Sequence, residues 1–341
     1  MVMSIAAGLA VAVWTGLGTV ARTTAPALPA ASAVIGPAEA TQTPVRIGEV
    51  PSTTGFNSLF IGHSFFQPVA NRLAFHAANA GIVDHTQQTV FSGGATGAPQ
   101  ALWENAAKRA QIEGLLDTGE IDLFGMTYHP DYPSLEGYEN WVAYALSRNP
   151  HTIIFVGFPW ATYPGATDAT AYGTSWHAAY DTIATGIIDG LRARFPSTRF
   201  FSIPYGHAAV DLYALYATGN LPDVSSFVAA DGSGLFRDSF GHGGDILIDL
   251  AALVWLRAIY HVDLAAYAYD PGTATDLLAI AAAIMDAHDS TYNLPRWRRW
   301  TGIEPAGQGS PAPTALKAAV PTRRTDTSAR GRYRRGIGSA A

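Results

Sequence analysis

The stretch SLFIGHSFFQP, residues 58–68, decides the fold class. Its first half is a short apolar run that ends at Gly62, which is typical of a buried β-strand. Its second half contains Ser64 and then Pro68, a residue suited to the first turn of an α-helix. A buried strand that leads directly into a helix is the repeating unit of parallel α/β proteins.

The same strand-then-helix pattern recurs along the chain. It predicts a parallel sheet covered by helices on both faces, which is a three-layer α/β/α fold. The predicted strands are residues 58–62, 85–91, 121–127, 152–158 and 199–203. The predicted helices are residues 68–80, 99–117, 138–147, 169–195, 208–217, 245–260 and 273–287.

Composition divides the chain into four regions. Residues 1–33 form an apolar leader, residues 34–55 read as a linker rich in Pro, Thr, Glu and Gly, and residues 56–295 form the folded domain. Residues 296–341, rich in Gly, Pro, Ala, Ser and Arg, are expected to be a disordered basic tail.

The leader resembles a signal peptide. Its apolar run, residues 5–14, is followed by the small residues Ala31-Ser32-Ala33, although no Lys or Arg precedes Arg22. We therefore expect a secreted or periplasmic protein. An uncleaved membrane anchor and a disordered apolar leader remain alternatives.

The composition also excludes several classes of function. Without Cys, the protein has no disulfide framework, no thiolate nucleophile and no thiolate metal ligand. Residues 1–304 hold 14 basic and 26 acidic side chains, so we expect no nucleic-acid partner, because such affinity depends on Lys and Arg. Residues 305–341 hold seven basic side chains and one acid, so membrane contact is expected only through the leader or this basic tail.

Polar and aromatic residues follow the predicted strands at the edge where parallel sheets bind ligands. Ser64 follows the first strand, a Gly-rich loop at residues 92–97 follows the second, and Tyr128 and His129 follow the third. Each has a structural alternative: a helix-capping serine, an ordinary turn, and a loop histidine without a role. The fourth strand is followed by aromatic residues that either bind substrate or pack in the core.

A further polar segment precedes the apolar helix at residues 245–260 and contains Asp238 and His242. A serine hydroxyl is a weak nucleophile until a histidine removes its proton, and an acid orients that histidine. We therefore predict a catalytic set of Ser64, His242 and Asp238. The alternative is that Asp238 caps a turn and His242 merely precedes the helix.

Together these segments resemble the SGNH (GDSL-like) hydrolase superfamily. The family is defined by a series of short sequence motifs, called blocks. The resemblance is to divergent bacterial branches whose first block, which carries the serine, is Gly-Asn-Ser-Phe; here it is Gly-His-Ser-Phe at residues 62–65. It covers about residues 57–262 and implies a five-stranded, flavodoxin-like parallel sheet.

The resemblance also implies roles for individual residues. Ser64 matches the nucleophile, His242 the general base and Asp238 the acid, while the N–H groups of Ser64 and Gly94 match oxyanion donors. The third-block asparagine of the family is absent, and we expect His129 to replace it as an oxyanion donor.

The acid departs from the family pattern, because Asp238 precedes His242 by four residues rather than three. Asp231 and a backbone carbonyl are alternative partners for the imidazole.

The implied reaction is hydrolysis of a carboxylic ester through an acyl-enzyme, with no metal and no organic cofactor. The expected partner is a small-molecule or carbohydrate ester, with a carbohydrate acetyl esterase as one possible identity. The alternative is a catalytically inert SGNH-like binding protein of the cell envelope. The candidate substrate-binding residues are His63, Tyr128, Tyr132 and Trp160.

Overall fold

A five-stranded parallel sheet lies at the centre of the domain. The computed structural model describes residues 55–295. The strands are β1 (Asn57–Gly62), β2 (Thr86–Phe91), β3 (Leu123–Thr127), β4 (Ile153–Gly157) and β5 (Phe200–Ile203). All neighbours pair in parallel in the order β2-β1-β3-β4-β5. The predicted flavodoxin-like, three-layer α/β/α fold is confirmed.

Eight α-helices accompany the sheet within residues 55–295. They are α1 (Gln67–Asn79), α2 (Pro99–Glu104), α3 (Ala106–Leu116), α4 (Glu136–Arg148), α5 (Ala169–Arg194), α6 (His207–Ala217), α7 (Asp245–Tyr260) and α8 (Leu277–Ala287). None of these helices is long and apolar enough to cross a membrane. The leader at residues 1–33, most of the linker and the tail at residues 296–341 lie outside the described residues.

The prediction of one helix over residues 99–117 was wrong. Asn105 has extended backbone angles, φ −82° and ψ 104°, and ends α2. Its side-chain oxygen accepts a hydrogen bond from the Lys108 N–H and thereby caps α3. An asparagine that caps a new helix interrupts an otherwise continuous helical pattern, because it satisfies an N–H that has no partner within that helix.

The alternation of side chains along each strand supplies both apolar layers. Phe60 and Phe155 belong to the core that contains α1, α7 and α8, whereas Ile61 and Val156 belong to the core beneath α3 and α4. Both layers are therefore apolar, which explains why β1, β3, β4 and β5 read as largely hydrophobic runs, whereas the edge strand β2 is mostly polar.

Helix α7 is the most deeply buried helix of the first layer, and its Trp255 is fully buried against Phe60, Phe66 and Phe155. In the segment that leads into α7, Phe236 forms isolated β-bridges with Val228 and with Gly243. This anchoring fixes the turn at residues 238–242 beside the carboxyl edge of the sheet.

Candidate active site

Ser64 lies in a tight turn between β1 and α1. The N–H groups of Phe66 and Gln67 both donate to the His63 carbonyl, at 2.9 and 3.0 Å, and close this turn. The N-cap residue of α1 is Phe66, and no side chain caps the helix. Ser64 is therefore not the helix cap that its position allowed, and its half-buried hydroxyl is available to other partners.

The Ser64 hydroxyl contacts His242, which comes from a segment 178 residues later. Ser64 Oγ lies 2.9 Å from His242 Nε2, and His242 Nδ1 lies 2.6 Å from Asp238 Oδ2. A carboxylate only accepts hydrogen bonds, so Nδ1 carries the proton and the Nε2 lone pair faces the serine hydroxyl. The structure thus brings together all three residues predicted to form the catalytic set.

A compact turn accommodates the four-residue spacing between Asp238 and His242. The second carboxylate oxygen, Oδ1, accepts from the N–H groups of Gly241 and His242 at 2.9 and 3.1 Å. Gly241 has φ +109°, a conformation that favours glycine. The alternative acid, Asp231, instead accepts from the backbone and the hydroxyl of Ser233.

Asp238 is held in its ionised form. Partial burial raises the pKa of this carboxyl, but hydrogen bonds from the His242 ring and from the N–H groups of His242 and Gly241 lower it, and the net pKa is below its ordinary value. An ionised acid at this place orients the imidazole and stabilises it when it gains a proton.

His63, the residue before the nucleophile, is 4% exposed. Its Nδ1 accepts from the Phe65 N–H at 3.2 Å, and its Nε2 donates to the Tyr128 carbonyl at 3.0 Å, with Thr127 Oγ1 3.2 Å away. Burial lowers the pKa of His63, the hydrogen bond to the Tyr128 carbonyl opposes this, and the nearby His129 and His242 add to it; the net pKa is about 4, so the ring is neutral at neutral pH. The expectation that His63 binds substrate does not fit this burial; the ring ties the serine turn to the end of β3.

Aromatic rings enclose the imidazole of His242. Phe65 lies edge-on to it at a centroid distance of 5.2 Å, and Phe240 lies at 5.4 Å with a tilt of 38°. Trp160 stacks on Phe65 at 5.2 Å and donates its indole N–H to the Gly241 carbonyl at 2.7 Å. Sequence reasoning missed this enclosure, because neither phenylalanine carries a chemical signal of its own.

Trp160 was also expected to bind substrate, but it is 2% exposed. Its stacked face and its N–H are both used inside the protein, so it supports the His242 turn rather than offering an open face to a ligand.

The Gly-rich loop packs directly on the serine turn. A Cβ on Gly97 would lie 2.5 Å from the Gly62 carbonyl oxygen and 2.7 Å from His63 Cβ, so only glycine fits there. Gly94 begins the 3₁₀ turn Gly94–Gly97 with φ +53°. The first N–H groups of a helical turn have no partner within it, which leaves the Gly94 N–H suited to an anionic oxygen.

The loop after β3 lies beside His63. The His129 and His63 rings are 5.5 Å apart, and His129 Nδ1 accepts from the Asp131 N–H at 3.2 Å, which leaves Nε2–H of the neutral ring as a donor. Tyr128 stacks on Phe158 at 5.6 Å and is half-buried, as is Tyr132. The oxyanion role of His129 and the substrate-binding roles of both tyrosines stay predictions.

Solved structures similar to this chain include a DUF4886 family protein from Bacteroides uniformis ATCC 8492. It is 18% identical, over 70% of this chain and 95% of that chain, with a TM-score of 0.42. The periplasmic domain of a lipopolysaccharide acetyltransferase from Salmonella ser. Paratyphi A is 12% identical, over 46% and 69% of the two chains, with a TM-score of 0.31. No protein-family model and no curated protein sequence matches this chain. Neither likeness assigns an activity.

Proposed function

We propose that this protein is a serine esterase that hydrolyses carboxylic esters through an acyl-enzyme. The observation that carries the proposal is the continuous chain of contacts from Ser64 Oγ through His242 to Asp238, at 2.9 and 2.6 Å. Nucleophile, base and orienting acid in this order are the parts that acyl transfer requires. The sequence resemblance to SGNH hydrolases supports the same assignment.

The first half of the reaction forms the acyl-enzyme. Ser64 Oγ attacks the ester carbonyl carbon while its proton passes to His242 Nε2. The tetrahedral intermediate then collapses, the bond from carbon to the alcohol oxygen breaks, and His242 returns the proton to the departing alcohol. Asp238 stays ionised throughout and stabilises the imidazolium.

The second half releases the acid. Water gives a proton to His242 Nε2 and attacks the acyl carbon, after which the Ser64 oxygen leaves and regains that proton. No metal or organic cofactor enters either half.

Negative charge develops on the carbonyl oxygen in both halves of the reaction. We assign the N–H groups of Ser64 and Gly94 as its donors, with His129 Nε2–H in place of the family's asparagine. Such donors matter, because loss of one typically costs on the order of 100- to 1,000-fold in rate.

The proposed substrate is a small-molecule or carbohydrate ester met outside the cytoplasm, since the leader resembles a signal peptide. A carbohydrate acetyl esterase is one form of this proposal.

Hydrolysis of 4-nitrophenyl acetate by purified wild-type protein and by Ser64→Ala tests the proposal. We expect turnover by the wild type and by the matched control Ser147→Ala, which changes an exposed serine on α4, and none above background by Ser64→Ala. Equal turnover by wild type and Ser64→Ala would overturn the assignment. No turnover by any of the three would favour the inert binding protein.

A further inference from the structure

The loop between β4 and α5 is held against the turn that carries His242. The Tyr163 N–H donates to the Phe240 carbonyl at 2.9 Å, and Trp160 Nε1 donates to the next carbonyl, that of Gly241. A Cβ on Gly241 would lie 3.0 Å from Pro164 Cδ, so the loop also packs closely on the turn. The loop therefore borders the histidine that acts as general base in the proposed function.

Tyr163 has an unusual backbone conformation for a bulky residue. Its φ of 52° and ψ of 53° lie in the left-handed region, which side chains other than Gly, Asn and Asp rarely adopt. Among the described non-glycine residues only His261, at the end of α7, also has a positive φ. Such outliers persist where the surroundings hold them, and they concentrate at functional sites.

Tyr163 is 40% exposed even though hydrogen bonding and packing hold its backbone. Its ring meets Phe240 edge-on at a centroid distance of 5.3 Å, and Phe240 in turn lies 5.4 Å from the His242 ring. Phe65, 3% exposed, closes the inner side of the same imidazole. An aromatic wall, defined as Phe240 and Tyr163, thus runs outward from His242 and ends in an open ring.

The chemistry decides which part of a substrate meets this wall. The histidine that accepts the serine proton later protonates the leaving alcohol, so that alcohol must lie within hydrogen-bond reach of His242 Nε2. The acyl carbonyl oxygen lies instead toward the oxyanion donors. The alcohol portion of the ester is therefore the portion beside His242 and the aromatic wall.

We infer that the aromatic wall is the subsite for the alcohol portion of the ester, and that it takes alcohols with a flat apolar face. Aromatic rings and the C–H faces of sugars share this chemistry, and both pack well on Tyr and Phe side chains. The rigid backbone of Tyr163 holds its ring in place before binding, which reduces the entropy lost when a ligand arrives. This inference rests on the proposed esterase function.

Three acetate esters test the subsite: ethyl acetate, 2-naphthyl acetate and an acetylated methyl xyloside. They form the same acyl-enzyme but differ in the reactivity of the leaving alcohol, so each ester is compared between wild type and variant; that intrinsic reactivity is common to both proteins, and the change in kcat/KM reports the contact with the alcohol that the variant removes. We expect Tyr163→Ala to lower the kcat/KM of the naphthyl ester, the xyloside or both, relative to ethyl acetate, by about tenfold, as loss of one aromatic contact predicts. Which ester responds identifies the natural class of alcohol.

Two further variants separate recognition from folding. The quantity compared is the ratio of kcat/KM for the naphthyl ester or the xyloside to kcat/KM for ethyl acetate. Tyr163→Phe retains the ring and should keep the wild-type ratio. Tyr163→Gly removes both the ring and the backbone strain, and its ratio should fall as in Tyr163→Ala. The control Tyr144→Ala removes a tyrosine that bonds Asp117 on the other apolar layer, and should keep the ratio. An unchanged ratio in Tyr163→Ala, or an equal loss on all three esters, would overturn the subsite.

A binding measurement distinguishes failure of the subsite from failure of the esterase proposal. Calorimetric titration of 2-naphthol and of methyl xyloside into wild type and Tyr163→Ala requires no turnover. Weaker binding of either alcohol to Tyr163→Ala supports the subsite even if no ester is hydrolysed, and equal or absent binding to both proteins counts against it.

Discussion

The histidine–aspartate pair beside Ser64 has a counterpart between α1 and α7. His242 Nδ1 lies 2.6 Å from Asp238, and His76 Nε2 lies 2.9 Å from Asp249. The distances from nitrogen to carboxylate oxygen are similar in the two pairs. The His76 side chain, however, is fully buried, whereas 36% of the His242 side chain is exposed.

The remaining partners of the two pairs differ more than the pairs themselves. Asp249 also accepts hydrogen bonds from Arg72 and from the Tyr269 hydroxyl, so the negative charge of its carboxylate is balanced by donors within the cluster. The other nitrogen of His76 lies 3.2 Å from the Tyr267 hydroxyl, and burial raises the pKa of that phenol to about 12. The same hydroxyl donates to the His76 carbonyl at 3.2 Å, and Tyr267 is only 9% exposed, so this hydroxyl is not open to a substrate.

The comparison teaches that an aspartate–histidine pair does not make a catalytic site. At His242 the second nitrogen faces the half-buried Ser64, beside which we propose that the N–H groups of Ser64 and Gly94 bind an oxyanion. At His76 it faces a closed polar cluster that joins α1, α7 and the segment after α7. We therefore expect changes at the first pair to alter rate and changes at the second to alter stability.

The largest expected effect is at the base. His242→Ala should lower kcat for ester hydrolysis by about 10⁵- to 10⁶-fold, because the serine loses its proton acceptor. Steady-state kinetics measures the loss, and circular dichroism checks the fold. His76→Ala is the matched control and should retain kcat per folded molecule. A similar loss of kcat in both variants would contradict the distinction between the pairs.

The next effect is at the acid. Asp238→Asn keeps the size of the side chain but no longer favours the proton on His242 Nδ1, and we expect kcat to fall by about 10⁴-fold. The pH–rate profile should be measured alongside, with Asp231→Asn as the control. A fall below tenfold would mean that another group orients the imidazole.

The effect at the buried pair should appear in stability. Asp249→Asn leaves Arg72 and His76 without their shared carboxylate, and breaking such a buried pair costs about 3 to 5 kcal/mol of unfolding free energy. Urea denaturation measures this loss. The control is Asp286→Asn, which breaks the ion pair with Arg257, because the Asp286 side chain is 67% exposed. A change below about 1 kcal/mol would show that the cluster does not hold the helices together.

The smallest expected effect concerns pH and His63. The folded protein keeps this ring neutral down to a pKa of about 4, whereas the unfolded chain takes up a proton near pH 6.5. The unfolded state thus binds more protons in this window, so stability falls as pH drops from about 6.5 to 4, by about 3 kcal/mol in total from this residue.

Chemical denaturation at a series of pH values tests this assignment. His63→Asn should show a shallower loss of stability between pH 6.5 and 4 than the wild type, while His151→Asn, at an exposed position, should retain the wild-type slope. Identical slopes in wild type and His63→Asn would contradict a buried, neutral His63.

Local pattern predicted the sheet, and together with the family resemblance it selected the three side chains that the structure brings together, Ser64, His242 and Asp238. Four of the five strands, β1, β3, β4 and β5, were predictable as short apolar runs because they are buried almost throughout, whereas the edge strand β2, which reads TQQTVF and is mostly exposed or half-buried, was predictable from its β-branched residues and its place between two helices. Ser64, Asp238 and His242 were found because each stands at a loop on the ligand-binding edge, and because the order of the loops resembles a known family. Asn105 was missed because its capping role depends on backbone angles that periodicity does not reveal.

Burial from long-range contacts was not predictable in the same way. His63 reads as a polar residue beside a nucleophile, yet the Tyr128 carbonyl, 65 residues later, provides the partner that allows it to be buried. For Trp160 the sequence left open whether it binds substrate or packs in the core, and its hydrogen bond to the Gly241 carbonyl, 81 residues later, belongs to the second alternative. Neither contact leaves a periodic trace in the sequence.

Covalent labelling by a fluorophosphonate, read by peptide mass spectrometry, tests the central claim most directly. We predict a single adduct on the peptide that contains Ser64, none in Ser64→Ala, and labelling of His242→Ala slowed by several orders of magnitude. Labelling of Ser64 at the same rate in wild type and His242→Ala, or an adduct that persists in Ser64→Ala, would contradict the claim that His242 activates Ser64.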